Sequence, residues 1–70
     1  MITDLYAYIY GEMRVNKISQ EVLGKECGLS QQVLGKRLKN QTLDIKDLIT
    51  IFSYFDTPEE KIIYFLKEKK

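Results

Sequence analysis

The sequence predicts an all-α fold with five helices, two of which meet in a helix-turn-helix, and three observations support this prediction. Apolar residues recur at steps of three and four residues through most of the chain, as they do along the buried stripe of an amphipathic helix. Serine, threonine or aspartate stands where most of these stripes begin, which is typical of helix N-caps. A single glycine, Gly28, separates two short helical segments, and glycine is the residue that most often ends a helix.

The first helix is predicted over residues 3–15, because Leu5, Ile9 and Met13 fit one helical face. The segment LYAYIY, residues 5–10, also alternates as a strand does, with tyrosines at every second position. A lone strand in a helical chain would have no pairing partner, so the helix is the better interpretation. The tyrosines are interpreted as partly buried packing residues, and a stacking platform for bases is the alternative.

The helix-turn-helix is predicted at about residues 19–39. Ser19 has the position of an N-cap for a short second helix, which Gly28 ends in the left-handed conformation that glycine tolerates. Ser30 is in position to cap the third helix, so only Leu29 lies between the end of one helix and the cap of the next. Two short helices joined by a turn of this length are typical of a helix-turn-helix.

The fourth helix is predicted from about Leu43 to Tyr54, with Thr42 or Asp44 as its cap. The residues predicted to form its buried face are Ile45, Leu48, Ile51, Phe52 and Phe55.

The fifth helix has the clearest start signal in the chain, because Thr57 precedes a proline and stands three residues before Glu60. This helix is predicted to run to about Lys69. Its predicted buried stripe consists of Ile62, Phe65 and Leu66.

Composition restricts the function. Seventy residues can form one domain, residues 1–70, with one small core. The single cysteine, Cys27, cannot form an internal disulfide and is interpreted as a small core residue. The sequence has no histidine, and its cysteine has no partner at metal-ligand spacing, so we expect no cofactor and no metal. No apolar run is long enough to span a bilayer, and we expect a cytoplasmic protein that is not an enzyme.

The segment SQEVLGKECGLSQQVLGKRLKN, residues 19–40, resembles the helix-turn-helix of the Cro/repressor family of small phage and bacterial DNA-binding domains. The downstream segment TLDIKDLITIFSYFDT resembles the fourth helix of that family. The resemblance implies a compact five-helix bundle and a sequence-specific transcriptional regulator, of the phage or mobile-element kind, that binds double-stranded DNA. The matching residues are Gln20, Glu21, Leu23, Gly24, Gly28, Leu29, Gln31 and Gln32.

The chain departs from the family pattern in two places, and one of them is Lys39 and Asn40, which stand where the family often has asparagine and glycine. Where the family usually has an apolar residue in the recognition helix, this chain has Arg37, and Leu38 follows it. Leu34 and Leu38 still share one helical face at the four-residue step, so the helix is either rotated or one residue longer, and both alternatives leave the set of outward residues open.

The predicted DNA-contacting residues belong to a segment without carboxylates, residues 27–43, which carries a charge of +3. Gln31 and Gln32 offer the paired donor and acceptor that recognise adenine in the major groove. Cations and amides farther along would meet phosphates, as would backbone N–H groups beside Gln20 at the start of the second helix. Gly35 would permit a close approach to DNA or to a neighbouring helix. The complete set is Gln20, Ser30, Gln31, Gln32, Gly35, Lys36, Lys39 and Asn40.

The last helix carries more apolar residues than one core can cover. Ile63 lies beside the predicted buried arc and Tyr64 on its far side. We therefore expect a homodimer through Ile63 and Tyr64, which would place two recognition helices on a palindromic operator. In the alternative interpretation both residues pack on the first helix, near Tyr6 or Tyr10.

The net charge of only +1 leaves a second class of function open. The same helix-turn-helix could serve as a protein-interaction module, such as an antirepressor or an adaptor to polymerase, whose binding would depend on a protein partner. Salt dependence separates the two, because phosphate contacts weaken steeply as salt rises.

Overall fold

The structure is a computed structural model that describes residues 2–68, and within that range the chain forms five α-helices and no strand. The prediction of an all-α fold with five helices is therefore confirmed. The described helices, in chain order, are α1 (Ile2–Val15), α2 (Gln20–Cys27), α3 (Gln31–Asn40), α4 (Ile45–Tyr54) and α5 (Glu59–Glu68).

The five helices share one hydrophobic core. α2 packs against both α3 and α4, and α1 packs against α5. Each helix contributes apolar side chains from one face, as its three- and four-residue periodicity predicts. The buried apolar residues are Leu5, Tyr6, Ile9, Met13, Leu23, Leu34, Leu38, Leu43, Leu48, Ile51, Phe52 and Phe65.

Three helix starts have the predicted caps. The Ser19 hydroxyl accepts a hydrogen bond from the Val22 N–H, and the Ser30 hydroxyl accepts one from the Val33 N–H, each at 3.2 Å. Of the two cap residues proposed for α4, Asp44 has the role, because its carboxylate accepts from the Asp47 N–H at 2.9 Å. Each cap thus satisfies a backbone donor that the first helical turn leaves unpaired.

Gly28 ends α2 with φ of 73° and ψ of 27°, in the left-handed region. Its backbone N–H donates to Lys25 O at 3.1 Å, and the Leu29 N–H donates to Gly24 O at 2.8 Å. These two bonds close the last turn of α2 and direct the chain at once into α3. The predicted conformation of this glycine is confirmed.

The prediction that Ile45 lies on the buried face of α4 is wrong, since 51% of this residue is exposed. α4 begins at Ile45 and not near residue 43, and the buried apolar position at this end of the helix is filled by Leu43 from the connecting segment. Leu48, Ile51 and Phe52 are buried as predicted, and Phe55 packs at the edge of the core.

Two tyrosines of α1 form hydrogen bonds with residues far away in the sequence. The Tyr8 hydroxyl lies 2.8 Å from the Thr57 hydroxyl, so the threonine predicted to cap α5 is bonded to α1 instead. The Leu43 N–H donates to the buried Tyr6 hydroxyl at 3.2 Å, and burial raises the pKa of that phenol. Tyr10 is partly exposed. The tyrosines of α1 thus pack to different degrees, as their interpretation as partly buried packing residues states.

The predicted end of α5, Lys69, lies outside the described residues.

Candidate nucleic-acid interface

α3 has a buried face and an exposed face. Leu34 and Leu38 are fully buried, one helical turn apart, and they fix the rotation of the helix. Residues 32, 36 and 39 follow the same three- and four-residue steps on the opposite side. Gln32, Lys36 and Lys39 are all exposed there, and we call these three residues the α3 outer face. The open question of how α3 is rotated is answered by the burial of Leu34 and Leu38.

Gln31 is exposed but lies about 100° around the helix from Gln32, so the two glutamines point in different directions. Gln31 shares its side of α3 with Gly35, one turn later. A Cβ on Gly35 would lie 2.6 Å from the Gln20 side-chain oxygen. The seam between α2 and α3 is therefore bordered by Gln20, Gln31 and Gly35. Gly35 was expected to permit a close approach either to DNA or to a neighbouring helix, and the structure contains the approach to a neighbouring helix, α2.

Gly24 is the residue that lets α2 reach the turn before α3. A Cβ at this position would lie 2.8 Å from the backbone oxygen of Leu29 and 3.4 Å from that of Ser30. Because both neighbours are backbone atoms, they cannot rotate away as a side chain can. The spacing between α2 and the start of α3 therefore depends on the absence of a side chain at Gly24.

Arg37 has a structural partner that the sequence did not reveal. Its guanidinium donates to the Asp47 carboxylate at 2.7 Å and lies 3.8 Å from the Asp44 carboxylate. Asp47 is buried, whereas the Arg37 side chain is about one-third exposed, at 35%. One of the three positive charges in residues 27–43 is therefore paired with α4.

Asp44 takes part in this cluster and in the α4 cap. The backbone N–H of Asp47 donates to the Asp44 carboxylate, and this bond holds the pKa of Asp44 below the ordinary value of 3.8, with a smaller contribution from Arg37.

Cys27 lies near the carboxylates of Asp44 and Asp47. Burial first, and the Asp47 charge second, raise the pKa of its thiol. The half-buried cysteine packs against the core, as its interpretation as a core residue states.

Val33 was not singled out by sequence reasoning, yet 40% of this residue is exposed. It follows Gln32 in the first turn of α3. A branched apolar residue in a short amphipathic helix is normally assigned to the core, so no signal in the sequence distinguishes it.

Two further predicted residues lie at the ends of α3. Asn40 is exposed at its last position. The exposed Ser30 hydroxyl accepts the Val33 N–H as a cap, and its own O–H can still donate to another group.

A second exposed surface lies on the last two helices. Ile63 and Tyr64 are 52% and 50% exposed, so neither is covered by α1 as the alternative interpretation requires. On α4, Ile45 and Ile49 are exposed one turn apart. Next to them is an open cavity of about 230 Å³ between α4 and α5. Its lining consists of Ile49, Phe52, Ser53, Asp56, Thr57 and Ile62.

Other kinds of site find no basis in residues 2–68. That part of the chain contains no helix with the length and apolar character needed to cross a membrane. Nor does it bring together three or more histidine, cysteine, aspartate or glutamate residues that could hold a metal ion.

No protein-family model, curated protein or solved structure matches the chain. Residues 2–68 form five helices, and one of them, the capped ten-residue α3, presents a polar and basic outer face on the side opposite two buried leucines.

Proposed function

We propose that the protein is a sequence-specific double-stranded DNA-binding regulator of transcription, of the phage or mobile-element kind, acting in the cytoplasm. In this proposal α2 and α3 form a helix-turn-helix, and α3 enters the major groove. The observation that carries it is the α3 outer face, where Gln32, Lys36 and Lys39 are exposed together without a carboxylate on that helix.

The polar residues at the start of α3 would read bases. A glutamine side chain can bond adenine at two atoms, and the residues near the start of a recognition helix are those that reach base edges. Gln32 lies on the α3 outer face, whereas the exposed Gln31 lies about 100° from it, on the side of α3 that borders α2. Val33 adds an apolar contact for a thymine methyl group. This set favours a site rich in A·T pairs.

Phosphate contacts would come from both sides of the groove. Lys36 and Lys39 extend from α3, and Asn40 is exposed at its end. At the start of α2, backbone N–H groups near Gln20 would add a contact to a neighbouring phosphate. Glu21, in the first turn of α2, opposes this contact and would have to point away from the DNA.

Two copies would be needed for useful affinity. One α3 supplies only two unpaired lysines, because Arg37 is paired with Asp47. A homodimer doubles the phosphate contacts and places two recognition helices about one turn of DNA apart on a palindromic operator. The exposed Ile63 and Tyr64 on α5 are the proposed contact between the two copies.

The test is selection of a binding site from a pool of random duplexes, followed by affinity measurement at about 50 and 200 mM salt. We expect a preferred sequence with two-fold symmetry and an affinity that falls by orders of magnitude over this range. Failure to enrich any sequence, or a salt-independent affinity, would exclude DNA readout by α3.

A protein-interaction module is the second candidate function, and the exposed apolar surface of α4 is the observation that favours it. Ile45, Ile49 and the cavity beside them could take an apolar side chain of a partner protein. Substitution of Ile49 by aspartate separates the two functions, since it should leave duplex binding intact and abolish an antirepressor or adaptor activity.

A further inference from the structure

The outward side of α5 has a charge pattern that is complementary to itself. Four exposed residues recur at the steps i, i+3, i+4 and i+7, and they lie opposite the residues that α5 buries. We call them the α5 outer face. These residues are Glu60, Ile63, Tyr64 and Lys67.

We propose that two copies of this chain pair their α5 helices antiparallel, with Glu60 of each copy facing Lys67 of the other. This inference names the geometry of the homodimer in the proposed function and rests on it for its biological role. The occupant of the α5 outer face is thus a second copy of the same helix, and the contact is isologous.

The symmetry follows from the spacing. A two-fold axis midway between Ile63 and Tyr64 has Glu60 on one side and Lys67 on the other, each about 5 Å away along the helix axis. Residues 60 and 67 also lie within about 20° of each other around the helix, since seven residues are close to two full turns. An antiparallel partner therefore places its Lys67 directly opposite Glu60, and the reverse contact forms by symmetry.

The centre of the proposed contact is apolar. Ile63 and Tyr64 are about half exposed, which leaves side-chain area for a partner to cover. The Tyr64 ring stands edge-on to the ring of the buried Phe65, with centroids 5.5 Å apart. The Tyr64 ring thus has one aromatic neighbour on its own helix and an open side for a partner.

The charges favour the antiparallel arrangement over the parallel one. In a parallel pair Glu60 would face Glu60 and Lys67 would face Lys67, and like charges at close range oppose association. Within the described residues the ion pairs involve Arg37 with Asp44 and Asp47, so Glu60 and Lys67 are available to a partner.

Sedimentation equilibrium of the whole chain without DNA, at low salt, tests the arrangement. We expect a wild-type dimer at micromolar to high micromolar concentration. Glu60→Lys and Lys67→Glu each replace two attractive contacts by two repulsive ones and should weaken the dimer by roughly tenfold or more. The doubly exchanged variant, Glu60→Lys with Lys67→Glu, should dimerise about as well as the wild type.

Glu59→Lys is the matched control. It makes the same charge change in the first turn of α5, but residue 59 lies about 100° from residue 60 and off the α5 outer face. Its dimer should resemble the wild type, and helicity by circular dichroism should show that all the variants fold. An equimolar mixture of the two single variants should form a heterodimer in preference to either homodimer.

A monomeric wild type at high micromolar concentration would overturn the proposal, as would single exchanges that dimerise like the wild type. A double exchange that remains as weak as the singles would overturn the Glu60–Lys67 pairing. Failure of the proposed function has a separate signature: a dimer that follows these rules but selects no DNA sequence. Conversely, sequence-selective binding by a strict monomer would leave DNA readout standing without this dimer.

Discussion

Arg37 of α3 donates to the buried carboxylate of Asp47 in α4 at 2.7 Å, and the same guanidinium lies 3.8 Å from the carboxylate that caps α4. This cluster connects the helix proposed to read DNA with the next helix in the chain. A cation that would otherwise add to the positive surface of α3 is used to compensate a buried acid, since an unpaired charge in the interior is costly.

We expect Arg37→Ala to destabilise the protein by about 2 kcal/mol, because it leaves the Asp47 carboxylate buried without its partner. The value is below that of a fully buried pair because Arg37 is partly exposed to solvent. Lys39→Ala, on the same helix, is the control and should change the free energy of unfolding by less than about 0.5 kcal/mol. Urea unfolding measures both. Equal stabilities of the two variants would show that the ion pair contributes nothing.

Two glycines should respond in opposite ways to alanine. Gly24→Ala brings a methyl group against the Leu29 backbone oxygen and should destabilise by about 1–2 kcal/mol, even though alanine favours helix by up to about 1 kcal/mol. Gly35→Ala meets only the flexible end of Gln20, which can rotate away, so this change should be neutral or stabilising by up to about 1 kcal/mol. Thermal unfolding of the pair checks this, and a stabilised Gly24→Ala variant would contradict it.

Stability should fall in acid partly through Asp44. The pKa of this carboxylate is lowered in the folded protein, so its contribution is complete above the ordinary value of 3.8 and is lost as the pH falls below 3.8 through the folded value. Asp44→Asn keeps an N-cap without a titrating group. The free energy of unfolding of this variant should therefore depend less on pH than the wild type between about pH 5 and 2. Parallel curves would contradict the assignment.

DNA binding should separate base readout from charge. Gln31→Ala and Gln32→Ala should each cost about 1–3 kcal/mol at the preferred site, with little change on other sequences. Lys36→Ala should weaken binding to every sequence and reduce the salt slope by about one unit. Lys46→Ala, an exposed lysine on α4, is the control and should leave both quantities unchanged. Wild-type affinity of both glutamine variants at the preferred site would reject base readout by α3.

Local signals in the sequence were sufficient for most helix boundaries. Ser19, Ser30 and Asp44 cap their helices with side chains that reach only three residues along the chain, and Gly28 adopts a backbone conformation that other residues avoid. Such effects depend on neighbours in sequence, so the sequence displays them. The exposure of Lys36 and Lys39 follows in the same way from the spacing of two buried leucines.

Contacts between distant residues were decided by the tertiary structure. Thr57 carries every local mark of a helix cap, yet its hydroxyl bonds Tyr8 from a position 49 residues away in the chain. Ile45 follows the apolar period of α4 but is exposed, because Leu43 takes the buried place beside the core.

For the proposed site, the order of residues along α3 establishes which side chains this helix carries and that Leu34 and Leu38 share its buried side. The packing of the helices establishes that Arg37 turns to Asp47, that Gly35 faces Gln20, and that Val33 is exposed. The two differ because helical periodicity fixes only the relative directions of side chains on one helix. What each direction meets depends on how neighbouring helices pack, and that packing is a property of the whole core.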